Sequence, residues 1–360
     1  MKRKTYRIIG IMSGTSMDGL DIVCVELFEN ESDKWEYSII AGSTIPLPES
    51  IEKELAQSKT LSGYELTLLD ITFGNYIGNS VNSFLLENEL LKSSIDAIAS
   101  HGHTVFHQPE KHLTLQIGNG EAIAKVTGIN TICNFREKDV MHGGQGAPLV
   151  PIGDKLLFNN LADSFLNLGG FANITSIKGN QISAFDISPC NLVLNHFSSE
   201  LGFTYDENGN LGREEKYQNE KLLNQLNALS YYTKKAPKSL GTEWLDKEFM
   251  PIFDNTSENS SQKLRIAYEH ISEQIAQVIN QLNVSKTLVT GGGAKNSFLI
   301  ELIQQKIKSQ LIIPDETLID YKEAIVFALL GTLFLQGLPN CLSSVTGASK
   351  DVCGGTMYLV

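Results

Sequence analysis

An α/β fold made of two similar halves is predicted by three features of this chain. Short apolar strand-like runs alternate with longer stretches of helical periodicity. A turn rich in glycine and hydroxyl groups, Ile11-Met-Ser-Gly-Thr-Ser-Met-Asp-Gly-Leu-Asp21, lies between two of the strand-like runs. A second glycine-rich turn, Asn167-Leu-Gly-Gly-Phe-Ala-Asn173, recurs roughly half a chain later in the same layout, with negligible identity. Two unrelated hairpins would read alike at this level; two related halves imply a cleft between them.

The elements follow in order. Tyr6–Ile11 and Ile22–Phe28 read as an opening hairpin. Ser62-Gly-Tyr-Glu65 has the spacing of a capping box and opens a helix running to about Leu91. Ile95–Ala99 is a short buried strand that leads into His101-Gly-His-Thr-Val-Phe-His107. Gly118–Val126 reads as a helix and Thr131–Asn134 as a strand. Met141–Pro148 is a loop by its glycines and proline, and Leu149–Asn159 resumes as a helix. Ser164–Leu168, Ala172–Ile177 and Gln181–Ile187 are three further strands, whereas Tyr205–Ser260 is polar and irregular. Leu264–Leu282 is helical, Thr287–Thr290 is a strand, and Gly291-Gly-Gly-Ala-Lys-Asn296 separates it from another helix. Ile319–Leu335 is a strongly apolar helix that carries Glu323.

Composition bounds the function. A chain of 360 residues with 42% hydrophobic and 19% charged residues is expected to form a globular protein of two domains. A formal net charge of −12 argues against nucleic-acid or anionic-membrane partners, but local amides and Mg²⁺ can still hold a nucleotide. Five scattered cysteines fit reduced thiols in a cytoplasmic protein. The basic N-terminus precedes an apolar run broken by Gly10, Ser13 and Gly14, so it reads as neither a signal peptide nor a membrane span.

Several groupings can carry chemistry. In the first turn, glycines let backbone amides approach a phosphate, Ser13, Thr15 and Ser16 add hydroxyls, and Asp18 and Asp21 can hold Mg²⁺ directly or through water. No Gly-Lys-Ser/Thr follows, and the next segment is a strand, so this is not a Walker loop; an ordinary hairpin turn has a similar composition. The triple glycine at 291–293, between a strand and a helix, suits the edge of a nucleotide, or serves only as a flexible link. Asp186 ends a strand where ligands bind in open α/β sheets and can act as a general base, or cap the next helix. Glu323 lies either on a solvated helix face or beside a ligand. Arg136 can hold a carboxylate bidentately, or pair on the surface with Asp139. The spacing of His101 and His103 puts two imidazoles on one strand face, but no carboxylate completes a zinc set with them and His107. A Ser/His/Asp hydrolase would need a Gly-x-Ser-x-Gly elbow, which is absent.

Taken in order, these motifs resemble the anhydro-N-acetylmuramic acid kinase family of the sugar-kinase and actin-like ATPase superfamily. The resemblance runs through Met12–Asp21, His101–Pro109, Asn134-Phe-Arg136 with Asp139, Gly143–Pro151, Asn167–Thr175, Phe185-Asp186, Pro237-Lys-Ser239 with Gly241, Gly291–Asn296, Glu323-Ala324 and Thr346-Gly-Ala348. It implies a two-domain actin-like (ribonuclease H-like) α/β fold with the active site in the interdomain cleft. The first domain is expected over 1–130 with about 338–360, the second over 131–337. The implied reaction consumes ATP, 1,6-anhydro-N-acetylmuramic acid and water and yields N-acetylmuramate 6-phosphate and ADP in cell-wall sugar recycling. By resemblance Asp186 and Glu323 are catalytic, and Arg136, His101 and Glu323 bind substrate. Gly14, Thr15, Ser16, Met17, Asp18, Gly19, Leu20 and Asp21 hold ATP together with Gly169, Gly170, Gly292 and Gly293, and Asp21 serves Mg²⁺. A cytoplasmic homodimer is likewise implied. The chain departs from the family pattern at Asp186-Ile-Ser-Pro-Cys-Asn191, where Ser188 and Cys190 replace glycines, at Asn195, where aspartate is common, and at His103, where glutamine is common. A different sugar kinase acting on a free hydroxyl, or a nucleotide-dependent binding protein without turnover, would share most of the motifs.

Overall fold

β1 (Tyr6–Ser13) and β2 (Leu20–Glu29) pair antiparallel, with Tyr6 opposite Leu27 and Ser13 opposite Leu20, as the alternation of apolar residues predicts. The computed structural model describes residues 4–14, 19–30, 34–179, 181–216 and 219–360. Contacts divide the chain into two units, Met1–Leu157 with Tyr321–Val360, and Phe158–Asp320.

The first unit carries β3 (Trp35–Ile45), β4 (Ala97–Ser100), β5 (His103–Gln108), β6 (Leu113–Ile117), β7 (Thr131–Cys133) and, near the C-terminus, β13 (Thr356–Tyr358). Its main sheet has the order β13-β7-β4-β1-β2-β3, and β5–β6 forms a separate hairpin. β1, β4 and β7 are parallel, whereas β2 and β3 extend the sheet antiparallel from β1. The crossover to β4 includes the helix Gly63–Glu87, whose Ser62–Glu65 capping box forms with both reciprocal bonds. Phe73, Ile77, Val81 and Phe84 of this helix pack with Ile9, Ile11, Ile22 and Ile98 of the sheet.

The second unit holds β8 (Ser164–Leu168), β9 (Phe171–Lys178), β10 (Gln181–Pro189), β11 (Lys286–Thr290) and β12 (Gln310–Ile312) in the order β10-β9-β8-β11-β12. The first three are antiparallel neighbours, and β11 and β12 continue parallel to β8. The long helix Ser260–Leu282 precedes β11, and Ser297–Lys306 joins β11 to β12. Strand roles therefore repeat: an antiparallel triplet followed by two parallel strands, with helices in the crossovers, as parallel pairing requires. The layout repeat in the sequence is a repeat of topology.

The boundaries of the units differ from the expected 131 and 337. Residues 131–157 and 321–337 belong to the first unit, because β7 pairs with β4 and β13 while the helix Glu316–Leu335 packs against β1. Other elements were not foreseen. β3 is half exposed along its length, and the segment after His101 forms the hairpin β5–β6. The stretch expected to be irregular contains helices at Asn210–Glu214, Glu220–Asn227 and Met250–Asp254; apolar Leu222, Leu226 and Phe253 are spaced among polar residues and are buried only by tertiary packing.

The helix Glu316–Leu335 approaches its sheet closely. A Cβ on Gly10 would stand 2.0 Å from the Ala324 carbonyl oxygen, and one on Gly331 2.7 Å from Ala99 Cβ. Gly10→Ala is therefore expected to force the helix off β1 and cost about 1–3 kcal/mol. Urea unfolding checks this; an unchanged midpoint would show that the backbone adjusts without penalty.

Candidate functional site

In the second unit, two glycine turns lie against one side chain. Gly169 and Gly170 form the turn between β8 and β9, and Gly291 follows β11 with φ +81°. Asn191, first residue of the helix Asn191–Glu200, donates from its backbone to Gly169 O (3.1 Å) and from Nδ2 to Leu168 O (3.0 Å). A Cβ on Gly293 would meet Leu168 Cβ at 2.7 Å and Asn191 Oδ1 at 3.1 Å, so the 291–295 turn lies against the same side chain. By contrast, the nearest atom to a Cβ on Gly292 would be 3.8 Å away, whereas one on Gly169 would be crowded by Asn167 Nδ2 at 3.3 Å. Glycine backbone at these turns lets amides approach a nucleotide closely, and at Gly292 no neighbour comes nearer than ordinary van der Waals contact. The structure thus brings together Gly169, Gly170, Gly292 and Gly293.

Asp186 stands near the end of β10, just before a bulge at Asp186/Ser188. Its Oδ2 accepts a 2.8 Å bond from the Leu240 amide. Oδ1 accepts no hydrogen bond from the described residues. Burial raises the carboxyl above its ordinary value, and the Leu240 amide opposes that shift. Asp186 is not a helix cap: the residue before Asn191–Glu200 is Cys190. Ser188 and Cys190, the departures from the family pattern, are fully buried, and Cys190 lies in the apolar core with Val193 and Phe197. The two larger side chains point inward.

In the first unit, Arg136 is half-buried and held by three bonds. It donates from Nε (3.0 Å) and Nη2 (2.9 Å) to His101 Nε2, and from Nη1 to Gly146 O (2.7 Å). His101 in turn donates from Nδ1 to Gly102 O at 2.8 Å, which defines its neutral tautomer. Phe327, on the helix Glu316–Leu335, packs on the imidazole with ring centroids 4.9 Å apart. Glu323, one turn earlier on that helix, raises the Arg136 pKa against the lowering effect of burial. One helix therefore supplies both the ring that seats His101 and the carboxylate that faces Arg136.

The surface pair of Arg136 with Asp139 does not form. Asp139 is fully buried and accepts from the Gly146 amide (2.7 Å) and the Thr346 hydroxyl (2.7 Å), holding the 143–148 loop in place. His101 and His103 do not share a strand face either, because Gly102 at φ +74° separates His101 from β5. No group of residues suited to a metal occurs among the described residues. In the first turn, Gly14 precedes β2, Gly19 and Leu20 are buried, and Asp21 Oδ1 accepts a 2.6 Å bond from the Thr44 hydroxyl. Thr15, Ser16, Met17 and Asp18 lie outside the described residues.

The repeated β-β-β-α-β-α-β order, with glycine turns beside the strand ends, defines an α/β protein of the actin-like ATPase class. A family model described as anhydro-N-acetylmuramic acid kinase matches residues 6–360, and the chain belongs to that family. The anhydro-N-acetylmuramic acid kinase of Haemophilus influenzae is 33% identical over 99% of this chain and 98% of its own length. That of Shewanella denitrificans is 36% identical over 99% of each. Among solved structures, component A of (R)-2-hydroxyglutaryl-CoA dehydratase from Acidaminococcus fermentans matches 90% of this chain and 96% of its own at 11% identity and TM-score 0.48. No described helix is long and apolar enough to cross a membrane.

Sequence reasoning missed the residues that hold these groups. Leu240, Gly146, Phe327 and Thr346 bear no catalytic signature; the Pro237–Gly241 and Thr346–Ala348 matches were the available signals.

Two buried histidines set a pH dependence. Burial and the Arg136 guanidinium hold His101 well below its ordinary value, and burial takes His270 down to about 3. Both titrate near 6.5 when unfolded, so below about pH 6.5 the unfolded chain binds the extra protons and stability falls by roughly 1.4 kcal/mol per unit for each histidine. The loss continues until the folded value is reached. Urea unfolding from about pH 7.5 to about pH 5 should show a shallower decline in His270→Gln than in the parent; equal slopes would mean that His270 protonates within the fold.

Proposed function

We propose that this chain is the ATP-dependent kinase that opens 1,6-anhydro-N-acetylmuramic acid with water and yields N-acetylmuramate 6-phosphate and ADP. The observation that carries the reading is Asp186: half-buried, one oxygen pinned by a backbone amide and the other free, in a chain that matches this kinase family over nearly its whole length. Asp186 takes a proton from water as the water oxygen bonds to the anomeric carbon. The bridging C–O bond breaks, and its oxygen bonds to the γ-phosphorus as the bond to the departing ADP breaks. One base thus serves both bond changes, because ring opening frees the phosphoryl acceptor as it is needed.

Arg136, pre-oriented by His101 and Gly146, retains N–H groups for the lactyl carboxylate of the sugar. Glu323 faces Arg136 and orients the sugar and the attacking water. Gly14 and Gly19, with Thr15, Ser16, Met17, Asp18 and Leu20 beside them, take the phosphates at the first turn; Gly169 and Gly170 form a second phosphate turn, and Gly292 and Gly293 take the adenosine edge of the nucleotide. Mg²⁺ would be held through Asp21, directly or by water, and would neutralise phosphate charge. The role of the protein is recycling of cell-wall amino sugar, in the cytoplasm and as a homodimer.

Asp186→Asn should reduce sugar-dependent ADP release by about 10²–10⁴-fold and leave ATP binding intact. Retained turnover would remove Asp186 from this role. Asn191→Ala, which removes the Nδ2 bond to Leu168 O beside the two glycine turns, should weaken ATP binding about tenfold by calorimetry, roughly one hydrogen bond. In ¹⁸O-labelled water, label at the anomeric carbon of a 6-phosphate identifies coupled hydrolysis and phosphorylation. An unlabelled phosphosugar would instead identify a kinase for a free hydroxyl, and no sugar-dependent ADP would identify a binding protein.

A further inference from the structure

β10 is the edge strand of its sheet, and at Asp186 its outward backbone groups are covered by one segment. Asp186 pairs with Asn173 of β9, and both its N–H and its C=O are met from the other side. The amide donates to Lys238 O (3.1 Å), and the carbonyl accepts from the Tyr231 hydroxyl (2.7 Å). Two residues after Lys238, the Leu240 amide reaches the carboxylate itself. The segment is locked onto itself: Lys238 Nζ lies 4.5 Å from the centre of the Tyr231 ring, 5.8 Å from that of Phe185, and donates to Tyr231 O at 3.3 Å. It is also anchored to the body of the unit. Tyr231 is buried against Trp244, while the neighbouring Tyr232 hydroxyl donates to His270 Nε2 (2.7 Å) on the helix Ser260–Leu282. His270 Nδ1 donates onward to Asn227 Oδ1 (2.7 Å).

We infer that residues 231–240 form a strap that positions the Asp186 carboxylate, with Tyr231 and Lys238 as its two positioning residues. Neither contributes a reacting atom. The Tyr231 hydroxyl and the Lys238 carbonyl clamp the backbone of Asp186, and the Lys238 cation over the Tyr231 ring holds the segment at the height from which Leu240 N–H meets Oδ2. Oδ1 is left as the working oxygen. The inference rests on the proposed role of Asp186 as base.

A loosened strap has a specific consequence. The Leu240 amide favours the ionised carboxylate against burial, so a weaker bond raises the pKa of Asp186. Tyr231 faces Asp186 from the strap, and Lys238 and Lys234 approach the Tyr231 ring from the same segment; the partner on β9 is the uncharged Asn173.

The test is the pH profile of kcat for sugar-dependent ADP release in Tyr231→Phe, Lys238→Met and Lys238→Arg. Tyr231→Phe and Lys238→Met are expected to lower kcat about tenfold, the order of one lost hydrogen bond, with the KM for ATP unchanged and the acid limb moved to higher pH. Lys238→Arg, which keeps a cation over the ring, should restore most of the rate. A parental kcat and acid limb in both disruptive variants would overturn the inference, as would a lower rate with an unmoved acid limb, since that is what general loosening produces. Asp186→Asn measured alongside separates the two levels: if it retains turnover, the base assignment fails, and if it is inactive while the strap variants behave like the parent, only the strap fails.

Discussion

The first unit depends on the close seating of the helix Glu316–Leu335 on its sheet. Gly10 in β1 and Gly331 in the helix remove the side-chain volume that would keep the two apart, and Gly153 gives the same clearance to Val326. With the spacing so small, a buried ion pair of Lys322 with Asp154 (2.7 Å) forms on the same helix that carries Glu323 and Phe327. A buried charge pair costs desolvation and is tolerated where geometry is good and both partners are held. Here both are held by packed secondary structure. The helix therefore acts as a ruler: the position of Glu323 toward Arg136 and of Phe327 against His101 follows from where β1 lets the helix sit.

In the second unit the governing constraint is the free edge of β10. Edge backbone groups must be satisfied or hydrated. At Asp186 they are satisfied by a segment of irregular structure that also reaches the side chain, so the need to cover an edge and the need to orient a carboxylate are met by the same residues. The glycine turns obey a related logic. Where glycine meets backbone or a neighbouring side chain closely, as at Gly291 and Gly293, it permits packing; at Gly292 the nearest atom, Asn191 Nδ2, lies 3.8 Å from where a Cβ would stand, and the backbone is less crowded.

Much of the candidate site was legible because its chemistry is local in sequence. The glycine turns, the strand-end Asp186 and the Arg136 segment are each a few contiguous residues whose composition points to phosphate, proton transfer or an anion. The helix at 63–87 was legible from its capping box. The misread parts share one cause. β3 is half exposed and the helices between 205 and 260 are short, and what buries them comes from distant elements. The Asp139 carboxylate looked like a surface partner for Arg136 because the two are three residues apart; its actual partner, Thr346, is more than two hundred residues away.

The sequence by itself determined the α/β class, the repeated hairpin layout, the family and the residue types available for catalysis, since these depend on local pattern and composition. Only the tertiary structure decided which groups hold them. It made His101 a neutral acceptor for Arg136, turned Ser188 and Cys190 into the core, moved 131–157 and 321–337 into the first unit, and bound Asp186 to residues 231–240. The physical reason is that hydrogen-bond geometry and burial arise between residues far apart in the chain, and no local pattern records which of many chemically suitable partners the packing brings within bonding distance.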